Sequence, residues 1–140
     1  MKHLNKLWIL FAILSVFSCN SDDDNDLGCS NIACTEIFVT ITVSIEDQSQ
    51  NPVALTSFQV INTENGEDVT PPFSDSGLEF FQQNGSYPIA EDGSIETDQV
   101  RELQFKGFID GQEVISSTYV ATADCCHINL VSGDTTLILE

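Results

Sequence analysis

Ile37, Val39, Ile41, Val43 and Ile45 occupy every second position of the stretch IFVTITVSI, with Thr40, Thr42 and Ser44 among the residues between. A period of two carried by β-branched residues predicts a strand buried on one face. Turn chemistry then recurs at Asn51-Pro52, Asn65-Gly66, Pro71-Pro72, Asn84-Gly85 and Asp92-Gly93. Asp110-Gly111 separates ELQFKGFI from QEVISSTYVATA. Two residues tolerant of positive φ between strand-like runs predict a type I′ hairpin. Phe108 falls out of phase with Leu103, Phe105 and Ile109, which either exposes its ring or marks a bulge at Gly107. Ser132-Gly133-Asp134 makes a second tight connection, into a last strand from Thr135 to Leu139. No window sustains a period of 3.6 residues, so no helix is expected. Short strands with regular turns predict an all-β fold, an antiparallel β-sandwich of about seven strands.

The N-terminus follows a different pattern. Lys2 and Lys6 precede an eleven-residue apolar run, Leu7 to Phe17, broken only by Ser15. As a helix it would span about 16 Å, too short for a hydrocarbon core of about 30 Å. A basic head, a short apolar middle and a small residue at its end are the layout of a secretory signal peptide. Val16-Phe17-Ser18-Cys19 resembles a bacterial lipobox, and that resemblance implies acylation of Cys19 as the first mature residue. Two or more buried acyl chains anchor stably where one does not.

Directly after Cys19 comes NSDDDND, four carboxylates with no apolar residue. Such a run buries too little to fold and is expected to be a hydrated, self-repelling spacer. Cys-Asn-Ser-Asp-Asp-Asp is also similar to the export signal that carries lipoproteins of Bacteroidetes-type bacteria to the outer face of the outer membrane. A solvated tether on a periplasm-facing lipoprotein is the alternative. The alternating Asp22, Asp24 and Asp26 do not make an EF-hand, because its sixth and twelfth positions would fall on Leu27 and Ala33. The expected organisation is a lipoprotein signal peptide over residues 1–18, an acidic flexible tether over 19–33 and one β-sandwich domain over 34–140.

Charge narrows the partners. Loss of Lys2 and Lys6 leaves two basic residues against 22 acidic ones, a formal charge of −20 on the mature chain. Nucleic-acid affinity depends on basic residues that displace counterions, so nucleic acid is excluded as a partner. A direct electrostatic hold on anionic head groups is excluded likewise. The expected partners are the membrane, through the lipid at Cys19, and a protein or glycan at the cell surface.

Two further resemblances touch the domain. Val43 to Val53, VSIEDQSQNPV, is similar to the opening of carboxypeptidase-regulatory-like and transthyretin-like sandwiches, with Asn51 where glycine is usual, and immunoglobulin-like sandwiches begin in much the same way. Ala123 to Gly133, ADCCHINLVSG, resembles a segment of surface lipoproteins of the same bacteria. Neither resemblance implies an activity, so neither supplies functional residues.

The cysteines are the most pointed chemistry. Cys29, Cys34, Cys125 and Cys126 make an even number in an exported domain, which predicts two disulfides in one of three pairings. Neighbours in a strand face opposite ways, so Cys125 and Cys126 are expected to reach different partners, stapling the start of the domain to its penultimate strand. Two other uses of these residues remain open. Cys125 and His127 share a strand face and, with Cys29 and Cys34, offer four zinc ligands. A thiol nucleophile at Cys125 or Cys126 is the other, although no CxxC is present and His127 would face away from Cys126.

The remaining signals are sparse. There is no G-x-S-x-G, no glycine-rich phosphate loop and no HExxH, so no catalytic residues and no cofactor are assigned. His127, the only histidine of the mature chain, is expected to satisfy a backbone or carboxylate partner. Phe80-Phe81, Tyr87 and Phe108 are candidates for an exposed aromatic binding surface or for core. Asp134-Thr135-Thr136 resembles a short O-glycosylation motif of these bacteria. The function expected is a non-enzymatic outer-membrane surface lipoprotein acting as a binding, adhesion or accessory module. The alternatives are a structural envelope lipoprotein without a ligand and a Cys/His metal-binding domain.

Overall fold

The computed structural model describes residues 28–140. The signal segment, Cys19 and the aspartate run therefore lie outside the described residues. Two units are distinguished, one ending at Ile32 and one spanning Ala33–Glu140. The second carries seven strands and one helix: β1 (Thr40–Asp47), β2 (Ser57–Asn62), α1 (Asp75–Asn84), β3 (Ser86–Glu91), β4 (Val100–Ile109), β5 (Gln112–Ala123), β6 (Ile128–Ser132) and β7 (Thr136–Leu139). They form a three-stranded sheet, β3-β1-β7, and a four-stranded sheet, β2-β4-β5-β6, with a shared core between them. The expected seven-stranded sandwich is present.

Alternation builds both inner faces. In β1 the side chains of Ile41, Val43 and Ile45 are buried, while Thr40 and Thr42 are exposed. Phe58 and Val60 of β2, Leu103 and Phe105 of β4, and Tyr119 and Ala121 of β5 supply the facing sheet. The Phe58 ring lies 5.4 Å from Tyr87 and 5.9 Å from Phe105, so the two sheets meet through an aromatic contact. Each such buried ring contributes about 1.5–3 kcal/mol relative to its exposed state.

The strongest local signals are realised. Asp110 (φ 51°) and Gly111 (φ 80°) form the two-residue turn between β4 and β5. The register of that hairpin shifts between Gly107 and Phe108, which places the bulge where the hydrophobic phase breaks. Gly107 is needed there, because a Cβ would come within 2.7 Å of Leu55 Cδ1 and 2.8 Å of Ile115 Cγ2.

Four expectations are corrected. The first strand starts at Thr40, and Ile37 and Phe38 are exposed. The lead-in is tied to a loop instead of a neighbouring strand: Val39 N–H donates to Asp92 Oδ2 at 2.8 Å, and Asp92 N–H donates to the Val39 carbonyl at 3.0 Å. Second, the sheets are not wholly antiparallel, since β7 pairs with β1 in parallel, Ser44 opposite Thr136. The chain reaches β7 by crossing from the other sheet after β6, so Ser132-Gly133-Asp134 is a crossover and not a hairpin.

Third, Asp75–Asn84 is a helix. Ser74 caps it, its hydroxyl accepting from Gly77 N–H at 3.2 Å, and Gly85 ends it at φ 61° with its N–H on the Phe81 carbonyl. Its apolar side is only Leu78 and Phe81 packed on the core, too few positions to sustain a visible period. Fourth, Cys125 and Cys126 lie in the bend between β5 and β6, not in a strand.

Candidate functional site

Two places concentrate chemistry, the bend after β5 and the outer edge of β2. At the bend, Cys126 is disulfide-bonded to Cys34 across a sequence separation of 92. Cys29 and Cys125 are disulfide-bonded as well, so two disulfides are present. With all four sulfurs oxidised, neither the zinc set nor a thiol nucleophile is available. The start of the domain is stapled as expected, but to the bend and not to the strand.

Asp124 shapes that bend. Its Oδ1 accepts the Cys126 and His127 amides at 2.8 and 2.9 Å, and its Oδ2 accepts from Asn129 Nδ2 at 3.1 Å. These donors hold its carboxyl below the ordinary carboxylate range, the His127 amide most of all. The turn projects the His127 ring between two partners. Nδ1 meets Asp92 Oδ2 at 2.8 Å and Nε2 meets Thr35 Oγ1 at 2.9 Å. A carboxylate only accepts, so Nδ1 carries a proton toward Asp92, and the threonine hydroxyl, which can donate or accept, meets Nε2.

Asp92 also accepts from Val39 N–H at 2.8 Å and Ile128 N–H at 2.9 Å. Its side chain is 14% exposed. Burial opposes its ionisation, yet the Val39 amide, the His127 ring and the Ile128 amide outweigh that and hold its carboxyl below the usual range.

A hydroxyl, an imidazole and a carboxylate in line have the layout of an acyl-transfer triad. The surroundings do not complete one. The adjacent pocket, about 210 Å³, is lined by Asp92, His127 and the Asp124–Cys126 bend but not by Thr35. Of the backbone donors at the bend, the Cys126 and His127 amides are already held by Asp124. Asp92 instead joins the lead-in to β1, the end of β3 and the start of β6. The His127 partner foreseen from sequence is thus a carboxylate, within a clasp.

The second place is a groove of about 490 Å³ along the outer edge of β2, walled by Phe73, Phe108, Asp68 and Thr70. Phe73 is 41% exposed and stacks on Phe58 at 5.0 Å. Of the aromatics singled out in the sequence, Phe108 lines this groove and Phe80 is exposed on α1, whereas Phe81 is half-buried. Tyr87 is core: it is fully buried, its hydroxyl accepting from Leu55 N–H at 2.7 Å and donating to the Val53 carbonyl at 2.8 Å. Burial pushes its phenol up. Asp134, Thr135 and Thr136 are exposed, with the Thr135 carbonyl accepting from Ser44 N–H.

Sequence reasoning missed Thr35, Asp92 and Phe73. Asp92 read as a turn residue beside Gly93, and only the return of the chain 35 positions later supplies His127. The one signal for Phe73 was its place directly after Pro71-Pro72. Comparison with known families, curated proteins and solved structures finds no significant match. Two disulfides mark a protein that matures outside the cytoplasm.

Proposed function

We propose that this chain is an outer-membrane lipoprotein, anchored through acylated Cys19 and facing the cell exterior, whose sandwich is a non-enzymatic binding, adhesion or accessory module. The reading is carried by SVFSCNSDDDND: an apolar run too short to span, ending on a cysteine and followed at once by a run of carboxylates. The disulfides support it, since they need an oxidising compartment. Among the described residues no helix is long and apolar enough to cross a membrane.

A purely structural envelope protein would carry an evenly polar surface. The groove beside β2, with Phe73 and Phe108 in its walls, favours a binding module over that second reading. The test is metabolic labelling with palmitate, followed by protease treatment of intact cells. Labelling that is lost in Cys19→Ala, with cleavage of the chain on unbroken cells, is the expected result. Unlabelled protein free in the periplasm would overturn the proposal.

A further inference from the structure

β2 is the outer strand of its sheet, and most of its free edge is covered. Val60 and Asn62 turn their backbone groups away from β4: the Val60 carbonyl accepts from Val69 N–H at 2.8 Å, its amide donates to Thr70 Oγ1 at 2.8 Å, and the Asn62 amide donates to the Glu67 carbonyl at 2.9 Å. By the same alternation the N–H and C=O of Phe58 point outward, where no described residue hydrogen-bonds them. The cover stops because Pro71 and Pro72 follow Thr70. Proline has no N–H to add to a ladder, and the chain returns only with the Phe73 ring on Phe58.

The gap is the groove described above. Phe58 lines that groove even though the residue as a whole is only 4% exposed. Backbone groups in that position are almost always partnered. Asp68, at the gap, is met by neutral donors alone: Gln59 Nε2 at 3.3 Å, Thr70 N–H at 3.0 Å and the Thr70 hydroxyl. Among the described residues the ion pairs are Lys106–Glu113 and His127–Asp92, so no cation sits on Asp68.

We propose that this gap receives an extended segment of a partner protein bearing a lysine or arginine. The segment lies along β2 as a short added strand and takes the N–H and C=O of Phe58. An apolar side chain rests between Phe73 and Phe108, and the basic group reaches Asp68. The charge of −18 on the whole chain selects against acidic segments. The inference rests on the binding-module reading and gives it a site.

The experiment uses the exported, ¹⁵N-labelled protein with its disulfides formed. Two probes are titrated, acetyl-Val-Lys-Val-Phe-Val-amide and its counterpart with Glu for Lys, and amide shifts and hydrogen exchange are followed. Expected are shifts centred on Phe58, Thr70 and Gly111, slowed exchange of the Phe58 amide, and weaker binding of the Glu peptide. Asp68→Asn should weaken the Lys peptide about two- to fivefold, the range of an exposed ion pair, without weakening the Glu peptide. Phe73→Ala should weaken both, and thermal melts of each variant confirm that it is folded. No shifts, equal binding of both peptides, or a Phe58 amide already protected in the free protein would overturn the proposal. Concentration-dependent shifts without peptide would overturn it in favour of a second copy at the edge. A silent gap in a protein that is acylated and cell-exposed would leave the proposed function standing. Failure of acylation or surface exposure would refute that function whatever the titration gives.

Discussion

Replacing Tyr87 by Phe removes one oxygen from the centre of the sandwich, and its consequence can be worked out from two hydrogen bonds. The hydroxyl accepts from Leu55 N–H at 2.7 Å and donates to the Val53 carbonyl at 2.8 Å, while Leu55 itself is fully buried. Each bond contributes about 0.5–1.5 kcal/mol net, but a buried donor left without an acceptor costs about 1–3 kcal/mol. The Leu55 amide has no water to turn to, whereas the half-buried Val53 carbonyl has some. Tyr87→Phe should therefore destabilise by about 2–4 kcal/mol. At about 4–8 °C per kcal/mol for a domain of roughly this size, the melting temperature falls by on the order of 10–30 °C.

Tyr119→Phe is the matched control. Its ring is equally buried, but its hydroxyl donates to the carbonyl of exposed Asp134 at 2.8 Å and has the half-buried Ser117 side chain as its other partner, and water can replace both. About 0.5–1.5 kcal/mol is expected. Urea denaturation with disulfides intact measures both variants. Equal losses, or a smaller loss for Tyr87→Phe, would refute the assignment of the penalty to the stranded Leu55 amide.

Gly133→Ala should cost about 2–4 kcal/mol, because the backbone sits at φ 128° and the new Cβ would fall 2.3 Å from Tyr119 Cδ1. Gly93→Ala, at φ 86° with nothing within 4 Å, should cost only about 1–2 kcal/mol; the urea midpoints of the pair separate contact from backbone strain. In Cys34→Ser/Cys126→Ser the loss is capped at about 4–5 kcal/mol, the chain-entropy value for a loop spanning 92 positions, because the second disulfide still constrains the unfolded chain. A melting temperature unchanged from the parent would show that the bridge constrains nothing. Asp47, Asp92 and Asp124 are all held below the ordinary aspartate value of 3.8. Depressed folded values mean that the unfolded chain binds protons first, so their contribution is complete above that value and is lost as pH falls below it, through the folded values. Acid unfolding of Asp92→Asn, followed by circular dichroism, should therefore show a shallower dependence below pH 4 than the parent.

What could be read along the chain was whatever a few neighbouring residues decide. The alternation from Ile41 to Ile45, the Asp110-Gly111 turn and the phase break at Gly107 each follow from chemistry within a short window. The cysteines were legible as disulfides from number and compartment. Helix α1 was hidden because Gly77 weakens it and because only Leu78 and Phe81 face the core. The parallel pairing of β7 with β1 leaves no local trace either, since Ile138 and Leu139 alternate as they would in an antiparallel strand.

The same division explains why the clasp and the edge gap leave no signal along the chain. Carboxylates are scattered along the whole chain after Cys19, and composition treats them alike. Topology selects Asp92, by bringing the β3 end beside Val39 and the bend after β5, and so gives one aspartate four donors' worth of work on three segments: three hydrogen bonds through its carboxylate and one through its own amide. Topology also decides that β2 is an outer strand, and only then does Pro71-Pro72 acquire a meaning beyond a turn: it is where edge protection ends. A free edge is a hazard that a secreted sandwich would ordinarily close along its full length. Here the closure runs from Asn62 to Val60 and stops one residue pair short, next to two phenylalanines and a carboxylate without a cation. An interruption confined to that pair limits indiscriminate strand pairing while leaving room for a short, basic segment, and this is why the gap is the part of the surface on which a binding role can be tested.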